Sequence, residues 1–197
     1  RLSLVGSEMC IRDRSRRRRI VTDLHAIEPV SIDRLAELCE LIDADYAIIE
    51  APRTDAEGES SDEDATLHRV LQTGVPHIAV HCDLDEEAEI LSAFATWEGT
   101  LPAEIEEEVA ATVAELNWAS VAPTLSYLAG ATEEEADSAD EIQLCANRAM
   151  AVGEGLSLAQ LGHFLLSSLA NFAEIFEVVA QRFPQAVTWT ETQEAED

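Results

Sequence analysis

The sequence holds 197 residues, with 40 Asp and Glu against 12 Arg, no Lys, and a formal net charge of −28. That length suits one domain, or one domain with a small appendage, and 47% hydrophobic content supplies a sizeable core. A surface this acidic repels phosphate backbones and anionic lipid, which argues against nucleic-acid and membrane functions, and no apolar run approaches the roughly 18 residues that span a bilayer.

The basic residues are unevenly placed. Seven Arg fall within residues 1–20 beside Glu8 and Asp13, so beyond residue 20 five Arg stand against 38 acids. Because the acids are spread along the chain, they read either as adaptation to high salt or as an acidic docking surface for a basic partner. The opening stretch, "SLVGSEMCIRD" at residues 3–13, contains no apolar segment of secretory type. Leu4 to Asp13 instead resembles one translated frame of a sequencing-library adapter. Residues 1–14 are therefore expected to be an assembly scar. The whole of residues 1–28 reads as scar plus a disordered basic lead-in. Setting Cys10 aside with it leaves Cys39, Cys82 and Cys145, three single cysteines with no metal or redox spacing, read as buried thiols of a reducing cytoplasm.

"PVSIDRLAELCELID", residues 29–43, reads as a helix capped by Ser31, with Leu35, Leu38, Cys39 and Ile42 on one face. "DYAIIEAP" follows as a strand stopped by Pro52, and residues 53–64 as an acidic exposed loop. "ATLHRVLQT", "PHIAVHCD" and "AEILSAFATWE" are three further strands, joined by short turns, the last closed by Gly99. "LPAEIEEEVAATVAELNWAS" is a helix with an apolar stripe of Ile105, Val109, Val113 and Leu116. "APTLSYLAGA" and "DEIQLCANRAMAV" form a hairpin around an acidic turn at residues 133–140, with a register break near Asn147. The last helix begins at the capping box Ser157-x-x-Gln160 and ends at Pro184. Its stripe is wider than one sheet face needs, so it is either buried on two sides or meets another subunit. Residues 185–197 read as a frayed acidic tail.

Strands in blocks with helices between them indicate α+β with an antiparallel sheet and three helices, in a single domain over residues 29–184. Three stretches resemble the YbjN family, the bacterial sensory transduction regulators, which are similar in fold to type III secretion chaperones. They are "PVSIDRLAELCELIDADYAI", "ILSAFATWEGTLPAEIEEEVAATVAELNWASVAPTLSYLAG" and "EGLSLAQLGHFLLSSLANFAEIFEVVAQRFPQA". The sequence departs from that family after Asn117, where Trp118 stands without the Arg that often accompanies the aromatic residue. The resemblance implies a cytoplasmic protein-interaction or regulatory module with no enzyme activity, no catalytic residue and no cofactor.

His77, His81 and Asp83 resemble metal ligands, but four residues along a strand span roughly 13 Å, too far for one ion, so no metal site is expected. "AVGEGLS" lacks the phosphate-loop Lys. His163 is read as a half-buried helical residue, and Trp97 and Trp118 as core or rim aromatics. The candidate interaction surface is the surplus of the last helix: Phe164, Leu165, Leu169, Phe172, Phe176 and Val179. The expected partner is a protein or a second copy of the chain. A secretion-type chaperone dimer holding a protein client is an alternative. A small ligand-binding enzyme using His68, His81 and His163 is another.

Overall fold

The computed structural model describes residues 24–52, 67–130 and 141–189. The order of elements matches the expected one in kind: α1 (Ile32–Leu41), β1 (Ala47–Pro52), β2 (Leu67–Val75), β3 (Ile78–Asp85), β4 (Ile90–Pro102), α2 (Glu106–Ala119), β5 (Thr124–Ala129), β6 (Glu141–Ala151) and α3 (Leu158–Arg182).

All strand pairs are antiparallel, and the six strands lie in the order β1-β2-β3-β4-β6-β5.

Alternation along the strands sends one set of side chains toward the helices. Leu71, Val80, Cys82, Leu91, Ala93, Ala95, Leu144 and Ala146 form that inner face, and each is buried. α1 and α3 lie across it, and α2 packs beside β5 with Val109 in the same core. Ser31 caps α1 by accepting from the Arg34 N–H, and both halves of the Ser157/Gln160 capping box are formed. At the C-terminus of α2, Asn117 accepts from Leu125 N–H (2.8 Å) and donates to Leu125 C=O (3.0 Å). Its carboxamide therefore satisfies a residue of the edge strand β5 as a neighbouring strand would.

Several expectations are corrected. Gly99 does not end the third strand of the meander; β4 runs through it to Pro102, with its register shifting between Thr96 and Thr100. The reason is the indole of Trp97, which lies where a side chain at position 99 would be, 2.5 Å from its Cβ. The irregularity is thus on β4, and Asn147 pairs in register with both Phe94 and Thr124. α3 is long and apolar enough to cross a membrane by length and composition, although its apolar residues are not continuous, but ten of its residues are buried in the core.

The domain also extends past both expected boundaries. Glu28 bridges to Leu156 in both directions (3.3 and 3.0 Å), and Ala159 N–H donates to Leu24 C=O (3.0 Å). Arg34 donates to the carbonyls of Glu28, Pro29 and Leu156. Gly155, at φ +141°, permits this approach: a Cβ there would lie 2.2 Å from the Glu28 carbonyl oxygen. At the other end Phe183 and Ala186 are buried, and Trp189 stacks on His77 at 4.2 Å and meets the Trp97 ring edge-on at 5.7 Å. Residues 24–28 and 185–189 therefore belong to the fold. The adapter-like stretch, the loop at 53–64, the acidic turn at 133–140 and residues 190–197 lie outside the described residues.

Candidate functional site

The apolar surplus of α3 does not form a docking surface. Phe164, Leu165, Phe172, Phe176 and Val179 are buried in the chain's own core, and Leu169 is half-buried against it. The stripe is wide because α3 packs both on the sheet and against α1, where Gly162 lies beneath Leu38. On α3 the exposed large apolar residues are Leu166 and Val178, which lie off that stripe.

The histidines do not converge either. His68 and His81 point to the sheet face opposite the helices, whereas His163 is exposed on α3, on the other side of the sheet. An enzyme using all three together is not supported by this arrangement. His77 is not on β3 but in the preceding turn, at φ +64°, where its Nδ1 lies 2.7 Å from Glu98 Oε2. His68 Nε2 lies 3.1 Å from Asp83 Oδ1, at ion-pair distance but without hydrogen-bond alignment. Of the three residues that resemble metal ligands in the sequence, His77 thus meets Glu98 and Asp83 lies beside His68. The thiols are no better placed for chemistry: burial pushes Cys82 up to about 12 and raises Cys39 and Cys145 as well, which disfavours the nucleophilic thiolate.

What the structure does present is the sheet face that no described helix covers. Strand register aligns Gln72, His81, Phe94, Asn147 and Thr124 across it. Ile49 is 36% exposed, Phe94 40% and Leu128 62%, while burial depresses the pKa of His81 below its ordinary value. Asp83, Asp85, Glu98 and Glu141 alternate onto the same face. The four described Arg are elsewhere. Arg34 and Arg69 hold the lead-in and α1, Arg148 reaches Ser167 of α3, and Arg182 pairs with Glu115 of α2. Among the described residues, then, this face carries acids and apolar groups with no Arg.

A second exposed feature lies at the corner between α2 and β5. Trp97 is a core residue, as expected, but Trp118 is 94% exposed and Val121 is fully exposed. Position 118 falls off the stripe of Ile105, Val109, Val113 and Leu116, and that spacing was the available signal. The open sheet face has no such signal in the sequence, because strand alternation does not say which side the helices cover.

No protein-family model matches the chain, and no curated protein does. A solved structure matches: YbjN from E. coli, described as a candidate transcription regulator. The TM-score is 0.54 at 14% identity, over 80% of this chain and 97% of that one. The chain has a YbjN-like fold, and at that identity the likeness concerns the fold alone.

Proposed function

We propose that this chain is a cytoplasmic, non-enzymatic regulatory module that docks a basic protein on the uncovered face of its sheet. The observation that carries the reading is the composition of that face. Phe94 lies on a central strand with Ile49 and Leu128 on the edge strands, and Asp83, Asp85, Glu98 and Glu141 share the face on the inner strands, without an Arg among the described residues. Exposed apolar groups interspersed with acids suit contact with a protein, and the acids favour a partner of opposite sign. A second copy is disfavoured because it would bring another net charge of −28 against the first. The likeness to YbjN, a candidate regulator, is compatible with this role.

The test is site-specific photo-crosslinking in the native host, with a photo-reactive phenylalanine analogue at Phe94 and, as control, at Leu166 on the opposite side of the molecule. The expected result is an adduct with a basic protein at Phe94 that is absent at Leu166. An adduct of two copies of this chain, equal labelling at both positions, or no adduct at Phe94 would overturn the proposal.

A further inference from the structure

A cleft of about 620 Å³ lies on the helix side of the sheet, between the lead-in, β6 and the start of α3. Its walls include Ile27, Met150 and Phe164, and its polar groups include His25, Arg148 and His163. No Asp or Glu is among its described lining residues, in a chain that carries 40 of them. Its volume falls within the range of small-molecule sites, roughly 300–1,000 Å³.

Arg148 is the informative residue. Arg34, Arg69 and Arg182 each meet a carboxylate, of Glu28, Asp33 and Glu115. Arg148 meets none among the described residues. Its Nη1 donates to Ser167 Oγ at 2.6 Å, and its guanidinium carbon lies 5.4 Å from the centre of the Phe164 ring. Ser167 Oγ in turn donates to the His163 carbonyl (2.5 Å), so its proton is engaged and a lone pair receives Arg148. This fixes the guanidinium on one side and leaves further N–H donors of its fork for another acceptor. A partly buried cation with apolar walls suits one acceptor in particular, a planar carboxylate that two N–H groups can hold at once.

We propose that this cleft binds a small carboxylate with an apolar body, its carboxylate on Arg148 and its body against Ile27, Met150 and Phe164. The site is on the opposite side of the sheet from the proposed docking face, so either can fail without the other. The carboxylate could belong to a free metabolite or to the C-terminus of a short apolar peptide.

The probes are octanoate, octan-1-ol and an Ile-Leu-Leu tripeptide, titrated into the full chain by calorimetry at about 0.5 M KCl, where long-range repulsion by the acidic surface is screened. Octanoate should bind saturably and about tenfold or more tightly than octan-1-ol, because only the former has the anionic group. Arg148→Gln should abolish that preference. Ala159→Glu, which places an acid at the cleft in the first turn of α3 where the helix dipole tolerates it, should also weaken octanoate about tenfold. Movement of the Met150 methyl signal on titration locates the bound probe even if Arg148→Gln fails to fold. Tighter binding of the tripeptide than of octanoate would assign the carboxylate to a peptide terminus, and the reverse to a free acid; either supports the site. Equal binding of octanoate and octan-1-ol, an unchanged preference in a folded Arg148→Gln, or no movement of Met150 would overturn it.

Discussion

His81 shows how a single side chain on the uncovered face is tied to stability. It is flanked in register by Gln72 and Phe94, and burial holds its imidazole below the ordinary value of 6.5. The unfolded chain therefore takes up a proton at a higher pH than the folded one. This residue costs nothing above 6.5, and as pH falls below that value the unfolded state is favoured, until the folded imidazole is itself protonated. The Asp33 carboxyl, held below its usual range by hydrogen bonds from Arg69, also loses its stabilising partner on acidification, but at lower pH. Comparing the chain with His81→Gln removes that shared background. Urea denaturation at about pH 7.5 and pH 5 should show a larger loss of stability for the wild type than for the variant. Equal losses would mean that burial of His81 is not linked to folding.

At the scale of elements, the order of helices and strands was legible because it follows from periodicity alone. Less legible was what each apolar face meets. The stripe on α3 has the same sequence pattern whether α1 and the sheet cover it or a second subunit does, so Phe172 and Phe176 could be assigned to an interface when they are core. Gly99 reads as a stop in the sequence because a glycine's usual meaning is a turn, and the position of the Trp97 ring against it is a tertiary fact. Trp189, alone after Pro184 in an acidic stretch, gave no period to read, although it packs on His77 and Trp97. The candidate site was the least legible feature, since the sequence names the residues on each strand face but not the face the helices leave open. The core assignment of α3 has a direct test. Phe172→Ala should destabilise the isolated chain by about 3–5 kcal/mol, through lost burial and the cavity left behind. Leu166→Ala, on the exposed side, should change stability by no more than about 0.5 kcal/mol. Chemical denaturation at low protein concentration measures both, and a neutral Phe172→Ala would return that residue to an interface.

The whole molecule is dominated by its charge. With 40 acids, 12 Arg and no Lys, the folded chain concentrates negative charge that the unfolded chain spreads over a larger volume. Three described Arg are paired with carboxylates, at Glu28, Asp33 and Glu115; the pairs at Asp33 and Glu115 are exposed on both sides, worth little and weakened by salt. Repulsion among the many unpaired acids should outweigh them. Screening shortens the reach of that repulsion from about 30 Å at 0.01 M salt to about 3 Å at 1 M. The thermal midpoint should therefore rise from dilute buffer to molar KCl, as salt adaptation requires. Docking of a basic partner should respond in the opposite direction, because the same ions screen its attraction to Asp83, Glu98 and Glu141. Measuring the midpoint and the Phe94 crosslinking yield across one KCl series separates the two uses of the acidity. A rising midpoint with a falling yield supports both. A flat midpoint would show that the acids do not strain the fold, leaving partner attraction as the reason for them.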